Sequence, residues 1–154
     1  MVELIRRFTP EQYASALEEW AFLGLEGKQP SFSSPFGDVF LEASDGWWFL
    51  DVMSGTLTRE WASAEDLQAA LNSADGQDRY LMAGLARLAA DQGFAPGENQ
   101  ILAFKIPPML GGPMSSENLE VSDMVVTLDI QGQIYAQTRD LPPGTPISGF
   151  TIAD

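Results

Sequence analysis

Asp38-Val39-Phe40-Leu41-Glu42-Ala43, then Ser44-Asp45-Gly46, then Trp47-Trp48-Phe49-Leu50-Asp51-Val52-Met53, then Ser54-Gly55, then Thr56-Leu57-Thr58-Arg59-Glu60-Trp61 form three runs of strand-forming residues divided by two glycine turns. Val, Phe, Trp, Leu and Thr suit a pleated, half-buried surface. Asp-Gly and Ser-Gly between such runs mark tight hairpins, because glycine supplies the positive φ those turns need. The stretch therefore predicts a three-stranded antiparallel meander. Neighbouring residues on a strand face opposite sides of the sheet, so Trp47 and Trp48 point into different surroundings. One indole can fill a core. The other needs a covering helix on the second face or a role as an aromatic anchor for a partner. The pattern does not say which is which, since Phe49 and Leu50 continue the apolar run on both faces.

Upstream, Thr9-Pro10-Glu11-Gln12 reads as a helix start, with Thr9 as cap, Pro10 at the first helical position, Gln12 completing a capping box and Phe8 stapled onto Tyr13. Tyr13, Ala16, Leu17 and Trp20 share one face of that helix and Gly24 stops it. Lys28 to Pro35, with two prolines and three serines, reads as a loop. Downstream, Ser63-Ala64-Glu65-Asp66 caps a short helix through Leu71. A longer helix follows from about Asp75 to Gln92, with Leu81, Leu85 and Leu88 as its apolar seam and Gly93 as its cap. Gln100 to Ile106 is a strand stopped by Pro107-Pro108, and the loop Met109 to Glu117 carries Gly111-Gly112.

Residues 124–137 fit two templates. Met124, Val126, Leu128, Ile130 and Ile134 alternate as in a strand, with Thr127, Asp129, Gln131 and Gln133 on the opposite face. Val121, Met124, Val125, Leu128 and Tyr135 instead match helical spacing. The pattern favours the strand. Leu141 to Pro146 is expected to be extended and stiff. With no repeat or linker dividing the chain, the expectation is an α+β fold: an antiparallel sheet packed with helices, one domain over 1–154, with a helical segment at 1–27.

The chain has 154 residues, 22 Asp+Glu against 8 Lys+Arg, and a formal net charge of -14. A protein that docks on phosphates needs a basic stripe, which excludes a free-standing nucleic-acid binder. The absence of His and Cys removes the best transition-metal ligands, the thiol nucleophile and the Ser-His-Asp triad. No cofactor is expected. The N-terminus lacks the apolar core of a signal peptide and no run approaches the ~18 apolar residues of a membrane span, so a soluble cytoplasmic protein is expected.

The groups left for chemistry are carboxylates, hydroxyls and two lysines. Glu117, Glu120 and Asp123 cluster, as do Asp45 and Asp51, and such sets suit a hard cation. No calcium-loop pattern accompanies them, and solvated acidic turns are the commoner case. Gly111-Gly112 lacks the lysine and hydroxyl of a phosphate loop and reads as a turn. Between Pro107 and Thr138 there is no Lys or Arg, while Glu117, Glu120, Asp123 and Asp129 make that stretch negative. Either this serves solubility, or it is a face that steers a basic partner, such as a toxin with a nucleic-acid-cutting cleft.

Several spaced motifs carry a resemblance. Phe104-Lys105-Ile106-Pro107-Pro108-Met109-Leu110-Gly111-Gly112, Glu117-Asn118-Leu119-Glu120-Val121-Ser122-Asp123, Gly132-Gln133-Ile134-Tyr135-Ala136-Gln137 and Asp140-Leu141-Pro142-Pro143-Gly144-Thr145 resemble the C-terminal domain family of type VI secretion immunity proteins. So do Pro35-Phe36-Gly37-Asp38-Val39 and the hairpin from Leu50-Asp51 to Gly55-Thr56. The similarity covers roughly residues 30–150. It implies a cytosolic binder without catalytic residues that neutralises a basic effector, a nuclease toxin, and it implies a helix around Leu128. In that family the domain often follows a second one, in whose place this chain has only a short helical segment. The partner-binding candidates are Trp47, Trp48, Glu117, Glu120 and Asp123. The alternative from another class is a small carboxylate-dependent hydrolase or ligand-binding protein, in which acids such as Asp51 and Glu120 would converge in a cleft between sheet and helices.

Overall fold

The computed structural model describes residues 4–142, 149 and 152–153. Its centre is a four-stranded antiparallel sheet in the order β1 (Gln29–Ser33), β2 (Val39–Ala43), β3 (Gly46–Asp51) and β4 (Thr56–Trp61). The meander is present, with Ala43 opposite Gly46 and Asp51 opposite Thr56 at the two turns. Gly46 is required where it stands. Its φ is +135°, and a Cβ there would lie 2.4 Å from the Trp61 carbonyl oxygen.

The fourth strand corrects the expected loop at 28–35. Pro30 is tolerated because β1 lies at the sheet edge, where a missing N–H leaves no ladder position empty. A bulge between Pro30 and Phe32 restores the register. Phe32 then stacks on Phe40 with ring centroids 4.5 Å apart.

Alternation along the strands feeds two cores. Val39, Leu41, Leu50 and Val52 face Tyr13, Ala16, Leu17 and Trp20. These come from α1 (Pro10–Ala16) and the 3-10 helix that continues it from Glu18 to Leu23. The Thr9–Gln12 capping box and the Phe8–Tyr13 contact form as expected, with ring centroids 5.8 Å apart, and Gly24 ends the segment at φ +83°. On the other face Phe40, Phe49 and Trp61 pack against Leu67, Tyr80 and Leu81, from α2 (Ala64–Leu71) and α3 (Ala74–Leu81). The sheet is thus covered on both sides.

The long helix expected over 75–92 is two. Met82, in the left-handed region at φ 49° and ψ 47°, separates α3 from α4 (Ala83–Asp91). The break re-aims α4, so of the expected seam only Leu81 is buried. Ala83, Ala86 and Ala89 are buried in its stead, and Leu88 is exposed. Small residues let α4 sit close to a two-stranded sheet of β5 (Gln100–Phe104) and β6 (Leu119–Asp123). Phe36, Leu102, Phe104 and Leu119 complete that third core.

Residues 124–138 form a helix, α5 (Met124–Thr138), and the strand expected from alternation is overturned. β6 runs straight into it. Asp123 accepts the Val126 amide at 3.0 Å as N-cap, and Thr127 donates to the Asp123 carbonyl at 2.7 Å. Apolar residues lie all round α5, which is why they also alternate. Of the helically spaced set, Met124, Val125, Leu128 and Tyr135 pack on the first core, whereas Val121 lies in β6 and packs on the third. Of the stiff tail expected over 141–146, residues 143–146 lie outside the described residues.

Candidate partner-binding surface

The strand β5 ends at Phe104, and Pro107-Pro108 prevents it from extending. The chain then turns through a 3-10 helix at Pro108–Leu110 and a second at Ser116–Asn118 before it returns as β6. Asn118, only 5% exposed, closes this loop. Its Oδ1 accepts the Ile106 amide at 3.0 Å, and its Nδ2 donates to the carbonyls of Ile106 at 2.8 Å and Pro113 at 3.0 Å. One side chain thereby satisfies both backbone groups of Ile106, as a neighbouring strand would. A Cβ on Gly112 would sit 1.8 Å from the Ile106 carbonyl oxygen. Gly111, at φ +93°, makes the turn before it. The glycine pair is a turn, as the sequence indicates.

A loop tied down in this way displays apolar side chains instead of hiding them. Ile106 is 54% exposed, Leu110 41% and Met114 55%. Burying large apolar groups is worth roughly 1.5–3 kcal/mol each, so three of them held out by one loop are fit to be covered by a partner. Sequence reasoning took 109–117 as a plain loop. The available signal was Ile, Leu and Met in a segment bounded by prolines and glycines. Val126 and Ile130, one turn apart on α5, form a second exposed apolar pair.

The five candidates from the sequence do not form one site. Glu117 is exposed on the 3-10 turn beside the loop. Glu120 lies across from Ala103 in the β5–β6 ladder. Strand alternation puts it on the opposite face from Leu119, Val121 and Asp123. Asp123 is exposed and spent on capping α5. Trp47 and Trp48 are both half-buried and pack on opposite cores, so of the two readings of the second indole the covered face is the one seen. Trp47 tilts against Phe32 at 6.2 Å. Trp48 packs on the first core, donates through Nε1 to Asp45 at 2.9 Å and carries the Lys28 ammonium 4.3 Å above its ring. That hydrogen bond is the main reason the Asp45 carboxyl is held below the ordinary range.

The acid furthest from its ordinary behaviour is Asp38. It is 3% exposed, and its carboxyl is pushed up to about 7, first by burial and then by the nearby Asp51 charge. Asp38 accepts from the Ser34 hydroxyl at 2.8 Å and the Val52 amide at 2.9 Å. Ser34 Oγ in turn accepts the amides of Phe36 and Asp38 at 3.1 and 3.2 Å. The Pro35 carbonyl, on the same turn, accepts the Leu102 amide at 2.9 Å and so ties the two sheets together. Both Asp38 oxygens are engaged, and the role is structural. Asp51 is likewise occupied, accepting the amides of Met53 and Ser54 at 3.0 and 3.1 Å. Asp51 ends β3 in the four-stranded sheet and Glu120 lies in β6 of the two-stranded one. Among the described residues no group of three or more acids is placed to hold a metal ion, and no helix is long and apolar enough to cross a membrane.

These features define an α+β protein with a braced, apolar-tipped loop. Residues 62–135 match the family described as T6SS immunity protein Tdi1, C-terminal, and to that family this stretch is similar. The match starts after the meander and includes α2 to α4, the loop and most of α5. A structure described as the crystal structure of Atu4351 from Agrobacterium tumefaciens is similar at a TM-score of 0.51 and 19% identity, covering 93% of this chain and 73% of that one. That likeness concerns the fold alone. No curated protein matches the chain.

Proposed function

We propose that this chain is an immunity protein that binds and neutralises a basic type VI secretion effector, a nuclease toxin, without chemistry of its own. The observation that carries this reading is the family match over 62–135. The net charge of -14 supports a basic partner, since a cleft that cuts nucleic acid is cationic and a strongly negative protein is steered to it. The loop supports a contact surface, with Ile106, Leu110 and Met114 as an apolar centre and Glu117 at its edge. Interfaces have that layout, a water-excluding apolar middle inside a polar rim. In the cytoplasm of the producing cell such a protein needs only to occlude the effector.

The test is co-expression with the toxin encoded beside it. The chain should keep the cells alive and co-purify with the toxin, while Leu110→Ala with Met114→Ala should weaken binding by tenfold or more and leave the melting temperature unchanged. A chain that neither binds nor protects against that neighbour overturns the immunity reading. Intact binding by the double variant moves the contact away from the loop.

A further inference from the structure

Beside the third core, with Ala86 and Leu102 in its lining, runs a groove of about 920 Å³. Its apolar walls include Leu4, Pro35, Phe94 and Leu102, and two arginines, Arg6 and Arg87, line it against a single acid, Asp91. Acidic residues outnumber basic ones 22 to 8 in this chain. Even so, among the described residues neither arginine has a carboxylate within ion-pair distance. Arg6 is anchored through its backbone by the bridge to Ser33. Its guanidinium donates to the carbonyls of Gly97 and, at 3.5 Å, Pro96. Its Nε is buried and has no hydrogen-bond partner among the described residues. Arg87 reaches from α4 to the Gln77 side-chain oxygen at 3.1 Å, and Gln77 is itself fixed by donating to the Leu71 carbonyl at 3.1 Å.

Two cations held by neutral oxygens are preorganised without being neutralised. An unsatisfied buried donor is costly, and in native proteins it usually has an explanation. Planar guanidinium groups match oxyanions geometrically. Apolar walls with a few polar groups, in a volume of some hundreds of Å³, are the ordinary make-up of small-ligand sites. We infer that this groove binds a small amphipathic oxyanion, a carboxylate or phosphate monoester on an apolar body, with its head at Arg6 and Arg87 and its body along Leu4, Phe94 and Leu102. This does not rest on the immunity reading.

The experiment is titration of the purified chain with 4-phenylbutyrate and, separately, phenyl phosphate, followed by amide chemical shifts and calorimetry, with 4-phenylbutyramide as the uncharged control. At least one of the two anions should saturate and move the resonances of Ala86, Ala90 and Phe94, and the arm that binds more tightly identifies the head group. Arg87→Gln, a change at an exposed position, should weaken binding tenfold or more with the fold intact. Arg6→Gln should do the same where it folds. Equal binding of the amide, unchanged binding by Arg87→Gln, or no saturable binding by either anion up to about 20 mM overturns the proposal.

Discussion

At the residue scale, Gly132 and Asp38 show how neighbours reverse ordinary preferences. Glycine inside a helix is about 1 kcal/mol worse than alanine, so Gly132→Ala would normally stabilise α5. Here the new Cβ would lie 2.8 Å from Nε1 of Trp20. Trp20 is fully buried and donates to the Leu128 carbonyl at 2.8 Å, so the ring has nowhere to go. Gly132→Ala should therefore destabilise by about 1–3 kcal/mol in urea unfolding. Gly84→Ala, where the nearest atom is 3.8 Å away, should be neutral or better; a stabilised Gly132→Ala would mean that the close contact is not there.

Asp38, pushed up to about 7, binds a proton on folding anywhere between its unfolded value and that figure. Its contribution to stability is full below the unfolded value of about 3.9 and is lost as pH rises through the folded one. Asp38→Asn stays uncharged. Wild type should accordingly lose stability relative to Asp38→Asn as pH rises from about 4 to about 7, and parallel stability curves would show that Asp38 is ionised in the fold throughout.

At the element scale, helix boundaries were decided by packing where local propensity was silent. Tyr80 and Leu81 belong to the core over β3 and β4, whereas Ala86 and Ala89 belong to the core under β5. One straight helix cannot serve both, and the chain changes direction at Met82. A non-glycine residue at φ 49° is strained by roughly 1–2 kcal/mol. Met82→Gly should thus be more stable than Met82→Ala by about 1 kcal/mol, the reverse of helix propensity. Alanine proving the better residue in thermal melts would place Met82 inside a continuous helix after all. Nothing in the sequence from Arg79 to Ala83 marks this break, since each of those residues suits a helix interior, and Gly84, a weak helix former, lies two residues past it inside α4.

At the scale of the whole molecule, the acids behind the net charge of -14 are spread over several elements. Glu117, Glu120 and Asp123 adjoin in sequence, but β6 turns Glu120 away from Asp123. Association with a basic effector should fall as salt rises, because the attraction is screened over about 8 Å at physiological ionic strength. Changing Glu117 and Glu120 to Gln and Asp123 to Asn should slow association and flatten that salt dependence. The fold should survive, since Asn caps a helix about as well as Asp. Binding indifferent to salt would leave the apolar loop as the sole source of affinity.

What the sequence determined by itself is what neighbours within four or five residues decide. The two glycine turns of the meander, the Thr9 and Ser63 caps, the buried face of Tyr13, Ala16, Leu17 and Trp20, and the stop at Pro107-Pro108 all follow from local φ preferences, missing donors and i+3/i+4 spacing. The acidic balance and the lack of His and Cys were equally legible. Only the tertiary structure decided the rest. Residues 124–138 satisfied both periods, and the helix is the arrangement in which Trp20, 108 positions away, reaches the Leu128 carbonyl. Pro30 entered a strand because that strand is an edge. The apolar loop became a surface because Asn118, twelve residues along, holds Ile106 in place. Arg6 and Arg87, eighty-one positions apart, line one groove only once the N-terminal segment has crossed to β1. Each of these depends on a partner distant in sequence, and a periodic pattern carries no record of which distant residue will arrive beside it.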